Sequence, residues 1–165
     1  MEYRIREIEE SDNKAVEQIV RYCLKEFGAD HEGCAWTDPY LGRFSQVYST
    51  RGNRYWVAED TQGKIVGGVG VGSFEEAPGI CELQKMYCLP EARSTGIAHL
   101  LLQTALTYAK EYYRQCYLET FGNMIAAQKF YDKHGFYRIQ NPLVDTGHYT
   151  CDVFYLKDLY TARNS

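Results

Sequence analysis

The sequence predicts an α/β fold, a mixed sheet of about six to seven strands flanked on both faces by about four helices, as one domain over residues 1–165. Three observations predict it. Strand-like and helix-like hydrophobic periods alternate through the second half of the chain, which implies partly parallel pairing. Two strand-like runs, "RYWVAED" and "KIVGGVGVG", are joined through Thr61, Gln62 and Gly63, a link as short and glycine-containing as a β-hairpin needs, so antiparallel pairing lies beside the parallel part. At 165 residues and 45% hydrophobic content, the chain is below the size at which cores divide.

Taken in order, "YRIREI" sets Tyr3, Ile5 and Ile8 in imperfect alternation with charges and reads as a short edge strand. "ESDNKAVEQIVRYCLKEFG" opens with Ser11 or Asp12 as N-cap, carries Val16, Val20, Cys23, Leu24 and Phe27 at helical spacing, and closes at Gly28. After the aperiodic loop "ADHEGCAW", a second helix is expected from Thr37 or Asp38, with Pro39 at its first position and Leu41, Phe44 and Val47 or Tyr48 following. In the second hairpin strand, Ile65, Val69 and Val71 fall on one face and Val66, Gly68, Gly70 and Gly72 on the other. Glycines placed so regularly weaken a strand and mark a close approach, most simply a helix packed tightly on that face.

"ICELQKMYCL" is the next strand. The third helix begins after Gly96 and stripes Ile97, Leu101, Ala105, Tyr108 and Tyr112, broadened by Ala98, Leu102, Leu106 and Ala109. "QCYLETF" is a strand, "NMIAAQKFYDKHG" a helix closed by Gly135, "FYRI" a short extra strand and "CDVFYL" a late one. The chain has no internal repeat, low-complexity tract or interdomain linker.

Composition narrows the function classes. A formal charge of −4 with no Lys/Arg-rich run argues against nucleic-acid binding and permits a cationic partner. No two of Cys23, Cys34, Cys81, Cys88, Cys116 and Cys151 make C-x-x-C spacing, so they read as reduced thiols of a cytoplasmic protein. "MEYRIREIEE" has no apolar signal core, and no run of ~18 uncharged apolar residues occurs, so no membrane association is expected. His31 in "DHEGC" lacks a second ligand pair, so no metal is expected, and no Ser/His/Asp or Cys/His nucleophile pattern stands out.

The stretch "LPEARSTGIAHLLL" carries the chemistry. A helix N-terminus exposes about four backbone N–H groups and a partial positive charge. Gly96 and the small Ser94, Thr95 and Ala98 leave those amides open to a diphosphate, and Arg93 adds charge; tight packing against the preceding strand is the competing explanation. Neither G-x-x-x-x-G-K-[ST] nor G-x-G-x-x-G is present.

"LPEARSTGIAHLLLQTAL" resembles the Arg/Gln-x-x-Gly-x-Gly/Ala signature of the GNAT superfamily of N-acetyltransferases, with Arg93, Gly96 and Ala98 at the diagnostic positions. Ala127, Tyr131, Gly135 and Phe136 match the A-x-x-x-Y-x-x-x-G-F part of that family's N-x-x-A-x-x-x-Y-x-x-x-G-F pattern, with Asn123 one residue further upstream and Phe130 beside Tyr131, so the resemblance covers roughly residues 82–139. Members commonly have Gly and Lys where this chain has Ser94 and Thr95, which removes a basic contact and some clearance.

The resemblance implies acetyl-CoA as co-substrate, its pyrophosphate on Arg93, Ser94, Thr95, Gly96, Ile97 and Ala98, and its pantetheine arm against the strand at Met86, Tyr87 and Cys88. It also implies a V-shaped gap beside "CYLET" for the thioester. Glu82, eleven residues before Arg93, stands where the histone-modifying branch has its catalytic glutamate and is the expected base; pairing with Lys85 or Arg93 is the alternative for it. Tyr131 is the expected acid for the departing thiolate, or else a core aromatic on the stripe of Ala127, Phe130 and His134. Asn123 is expected to cap the fourth helix and to touch the cofactor. His148 is an alternative base. The expected acceptor is a primary amine of a small molecule or peptide, in a pocket formed by "FGADHEGCAWTDPYLGRF" and the segment around "NPLVDTGHY". Many relatives dimerise through C-terminal strands, so the resemblance allows a homodimer. Rival readings are a non-catalytic acyl-CoA sensor of the same fold and a nucleotide-binding α/β protein.

Overall fold

The computed structural model describes residues 2–160. Its elements are β1 (Arg4–Glu7), α1 (Asn13–Glu26), α2 (Phe44–Val47), β2 (Arg54–Glu59), β3 (Ile65–Ser73), β4 (Ile80–Cys88), α3 (Ile97–Lys110), β5 (Gln115–Thr120), α4 (Ile125–Lys133), β6 (Tyr137–Ile139) and β7 (Val153–Asp158), with single 3₁₀ turns before α1, α2 and α3. One seven-stranded sheet runs β1-β2-β3-β4-β5-β7-β6. Only β4 and β5 pair in parallel; every other neighbour is antiparallel. This is the expected mixed sheet, with the expected element order.

The sheet separates two apolar layers. α1 buries Val16, Ile19, Val20, Cys23 and Leu24, the i, i+3, i+4, i+7, i+8 positions of one face, against one side. Gly28 at φ +73° ends that helix, where the amides of Gly28 and Ala29 close onto the carbonyls of Lys25 and Leu24 at 3.1 and 2.8 Å. α3 buries Ile97, Leu101, Leu102, Ala105 and Ala109 against the other side, where α4 joins it through Tyr131. The hairpin link is also as expected: Gly63 has φ +81°, and the Asp60 carboxylate accepts the amides of Gln62 and Lys64 at 2.9 Å.

Three expectations are corrected. The helix expected from Thr37 or Asp38 reduces to a 3₁₀ turn at Ala35–Thr37 and one turn at Phe44–Val47; Asp38, held extended by the ring of Pro39 at ψ 126°, breaks the run. Ile65 does not share a face with Val69 and Val71. A register shift at Ala58/Glu59 turns it to the α1 layer, while they face α3. Gly68 and Gly70 of β3 receive aromatic rings and Gly72 the Gln84 side chain, not a helix: a Cβ on Gly68 would stand 2.7 Å from the Tyr55 ring, and one on Gly70 3.0 Å from the Tyr48 ring.

All six cysteines are free, and no helix among the described residues is long and apolar enough to cross a membrane.

Candidate active site

The site forms where β4 and β5 part. Their ladder holds for three pairs, Ile80↔Gln115, Cys81↔Cys116 and Glu82↔Tyr117, and goes no further. The cause lies in β4. Between the pairs Gly68↔Tyr87 and Gly70↔Gln84, β4 has one residue more than β3, and Lys85 takes φ +49° to absorb it. This bulge swings Met86, Tyr87 and Cys88 away from β5 and leaves that edge of β4 without a strand partner. A chain carrying amides can fill such an edge as an added strand.

The gap opens into a cleft of about 980 Å³, at the upper end of the range for ligand pockets. Met86, Tyr87, Cys88, Arg93, Ser94, Gly96, Ala98 and Tyr131, all expected at the site, line it. At its deep end the cleft shares Leu83, Lys85, Glu119 and Thr120 with a smaller cavity of about 60 Å³, which adds Glu82, Gln84, Phe121 and His148. The two spaces are therefore adjacent and share these walls, with Tyr131 lining the cleft and Glu82 lining the cavity.

The turn before α3 is built as an anion seat. Gly96 at φ +88° is the residue before the helix, and a Cβ there would meet nothing within 4 Å, so the space above it is open. Among the described residues, the backbone N–H groups from Ser94 to His99 make no hydrogen bond within the chain. Ser94 adopts φ +63°, a left-handed conformation that costs a non-glycine residue about 1 kcal/mol. Ser94→Gly is therefore expected to stabilise the fold by up to about that amount without weakening ligand binding at the turn, as measured by thermal unfolding and calorimetry. Thr95 turns its hydroxyl back to the carbonyl of Ala92.

Arg93 does not aim its guanidinium at that seat. It donates to both carboxylate oxygens of Glu26 at 2.8 and 2.6 Å and to the carbonyl of Cys88 at 3.1 Å, bracing the end of α1 against β4. That hydrogen bonding holds the Glu26 carboxyl below its ordinary value. A cation near the seat is Lys133, which lines the cleft beside the hydrogen-bonded pair His99 and His134, whose Nδ1 and Nε2 are 2.7 Å apart. Asn123 corrects a further expectation. Met124, not Asn123, precedes α4, no side chain caps that helix, and the Asn123 amide donates instead to the carbonyl of Phe27 at 3.1 Å. It ties α1 to the β5–α4 loop and is not among the residues lining the cleft.

Glu82 is 7% exposed and neither Lys85 nor Arg93 pairs with it. Burial pushes its carboxyl up to about 7; the hydrogen bond from Gln84 Nε2 at 2.6 Å and the charge of Lys85 pull the other way, and Glu119 adds to the rise. A carboxylate there can take a proton near neutral pH. Tyr131 is 9% exposed, and burial raises its phenol well above the ordinary value, so the hydroxyl keeps its proton. Burial also pushes the Cys88 thiol up to about 12, which leaves it a neutral wall of the cleft and a poor nucleophile.

Sequence reasoning missed three features of the cavity. Glu119 has its carboxylate held by the hydroxyls of Tyr117, at 2.7 Å, and Thr146. Asp38 clamps the cavity rim: Lys85 Nζ lies 3.1 Å from Oδ2, and His148 Nε2 lies 3.0 and 3.1 Å from its two oxygens. Burial works to raise the Asp38 carboxyl, but the His148 hydrogen bond and the Lys85 charge outweigh it and hold it below its ordinary value. His148 thus faces the cavity as a partner of Asp38. The third feature is the contact of Tyr48 with Gln84, at 2.6 Å. Apart from the Tyr117–Glu119 bond, each joins residues far apart in the chain; the signals visible beforehand were the lone acidic Glu119 inside the run "CYLET" and His148 near the expected acceptor pocket. Among the described residues, no group of three or more His, Cys, Asp or Glu is arranged to hold a metal ion.

Comparison with known proteins agrees with this geometry. The family model "Acetyltransferase (GNAT) family" matches residues 14–136. The chain is 39% identical over 151 residues to an uncharacterised N-acetyltransferase of Escherichia coli K12, YjgM, covering 90% of each. It superposes on an acetyltransferase of the GNAT family from Staphylococcus aureus with a TM-score of 0.83 at 24% identity, covering 96% of this chain and 100% of that one. A phosphinothricin acetyltransferase from Sinorhizobium meliloti, solved in complex with acetyl-CoA, superposes with a TM-score of 0.75 at 19% identity, over 96% of this chain and 89% of that one. A sheet that parts at β4 and β5, an open helix-start turn beneath the gap and a match across most of the chain establish that this protein belongs to the GNAT family and is an N-acetyltransferase.

Proposed function

We propose that the protein transfers the acetyl group of acetyl-CoA to a primary amine of a small molecule or peptide, by direct attack within one ternary complex. The observation that carries this reading is the pair of adjacent spaces, sharing walls from β4 and β5, where those two strands part. A long cleft ends beside a protonated phenol, and a small cavity beyond it holds a buried carboxyl that titrates near 7.

The residues fit the co-substrate. The unpaired amides from Ser94 to His99 and the open space over Gly96 suit a pyrophosphate, and the free edge of Met86 to Cys88 suits the amides of pantetheine. The amine enters the cavity as an ammonium ion, for which Glu119 and Glu82 are the anionic walls, since Lys85 is already paired with Asp38. Glu82 takes one proton, and the freed nitrogen attacks the thioester carbonyl, whose π electron pair moves to oxygen. When that pair returns, the C–S bond breaks, and the Tyr131 hydroxyl hydrogen-bonds the departing sulfur. The amide nitrogen loses its second proton to solvent, and the proton taken by Glu82 passes to the thiolate through solvent, which returns the carboxylate; ammonium and acetyl-CoA thus give amide, CoA thiol and one proton.

The test is the release of free thiol from acetyl-CoA across a panel of polyamines, amino acids, aminoglycosides and peptides with free N-termini or lysines. Thiol release with at least one amine, matched by amide in the product, is expected. Tight binding of acetyl-CoA with no transfer to any of these classes contradicts the proposal.

A further inference from the structure

We infer that Tyr48 and Gln84 form a positioning relay that reserves one oxygen of Glu82 and so directs the acceptor's proton to the other. The inference rests on Glu82 as the base. Gln84 Nε2 donates to Glu82 Oε1 at 2.6 Å, and the Tyr48 hydroxyl donates to Gln84 Oε1 at 2.6 Å. The direction of this chain follows from complementarity. Turning the Gln84 amide over would set its oxygen against the carboxylate, acceptor against acceptor, and would leave the Tyr48 proton without any of the acceptors found among the described residues. Oε1 of Glu82 is thus filled by an N–H. Oε2 has no partner among the described residues and is the oxygen left for a proton arriving from the cavity.

The fold is arranged to seat this relay. Tyr48 follows α2 and is 3% exposed, packed edge-on against Phe44 with ring centroids 5.3 Å apart. Its ring lies over Gly70, where a Cβ would stand 3.0 Å away. The Gln84 side chain lies over Gly72, where a Cβ would stand 2.6 Å from Gln84 Oε1. The glycine stripe of β3, which costs strand stability, is therefore the floor on which the tyrosine and the amide reach Glu82. The charged groups facing Glu82 are Lys85 on β4, Glu119 on β5 and His148 on the loop before β7; none of their side chains hydrogen-bonds the side chain of Gln84 or Tyr48. The relay can therefore be altered without removing those charges.

The experiment measures kcat and the acetyl-CoA KM against pH for the wild type and for Gln84→Leu, Tyr48→Phe and Gly72→Ala, with Glu82→Gln as reference. Loss of the Gln84 N–H leaves the carboxylate less stabilised. The acid limb of the wild-type profile is expected to move up by about one pH unit in Gln84→Leu. The rate then falls roughly 5-fold at pH 7 and recovers toward wild type at pH 9, with the acetyl-CoA KM within about twofold. Gly72→Ala, which displaces the amide from the side, shifts the limb in the same direction, and Tyr48→Phe does so to a smaller degree. A rate loss equal at every pH, or a limb that does not move in Gln84→Leu while Glu82→Gln lowers kcat by about 10²-fold or more, overturns the relay alone. A kcat for Glu82→Gln within about tenfold of wild type overturns the assignment of Glu82 as base, and the relay with it.

Discussion

Glu82→Gln is expected to lower kcat by about 10² to 10⁴-fold at pH 7.5 while leaving acetyl-CoA affinity within about twofold. The size follows from the acceptor. An alkylamine with a pKa near 10.4 is neutral in only about one molecule in a thousand at pH 7, so a base that takes its proton at the site recovers most of that factor. Glu82 suits the task because burial lifts its carboxyl to about 7 and it lines the cavity with only one oxygen taken by Gln84. A glutamine keeps the shape and the contact with Gln84's side chain but cannot accept the proton. The wild-type rate should rise through pH 7, and that limb should vanish in the variant.

The same substitution has the opposite effect on stability. The carboxyl sits at about 7 in the folded chain against an ordinary 4.5, so its protonated form is the one that folding favours. Its contribution is fully present below the unfolded value and is lost as pH rises from about 4.5 to about 7, amounting to roughly 3 kcal/mol of destabilisation above that window. Chemical denaturation at pH 8 should therefore find Glu82→Gln more stable than wild type, and at pH 4 nearly equal to it. A sensor with the same fold would keep its ligand response in this variant and show no turnover to lose.

Tyr131→Phe is expected to lower kcat by about 10 to 100-fold, the worth of one hydrogen bond to a developing anion. The raised pKa of the phenol decides between two roles. A group held so firmly protonated serves the departing sulfur as a hydrogen-bond donor more than as a source of a free proton, so the profile should show no alkaline limb from Tyr131 below pH 10. The ring itself packs against Phe136 and Tyr155 with centroids 5.6 and 6.0 Å away, and phenylalanine preserves those contacts. Its unfolding midpoint should stay close to wild type, which separates a lost hydroxyl from a damaged core. Steady-state kinetics with varied acetyl-CoA and a thermal scan check both halves.

Much of this arrangement was legible in the sequence because it is local. Gly96 and its small neighbours mark an open helix start, Gly28 and Gly63 mark turns, and the spacing of Glu82 and Tyr131 about the Arg93 motif locates both sides of the gap. What escaped depends on partners distant in the chain. Arg93 reads as a phosphate ligand until Glu26, 67 residues away, takes its guanidinium. Asn123 reads as a cap until Phe27, 96 residues away, takes its amide. The glycines of β3 announced a close approach but not what approached: Tyr55 sits on the expected hairpin partner strand, while Tyr48 comes from a segment whose placement no hydrophobic period specifies. Pro39 signalled a helix start by its own preference, while its effect on Asp38 ended the same helix.

The central claim is that acetyl transfer takes place where β4 and β5 part, between Glu82 and Tyr131. A crystal structure of the protein with acetyl-CoA tests it most directly. The account predicts pyrophosphate oxygens on the amides between Ser94 and His99, the thioester sulfur within hydrogen-bonding distance of the Tyr131 hydroxyl, and the carbonyl carbon facing the Glu82 cavity. A bound co-substrate whose thioester lies outside that gap, or a saturated crystal in which the turn at Gly96 contacts no phosphate, would contradict it.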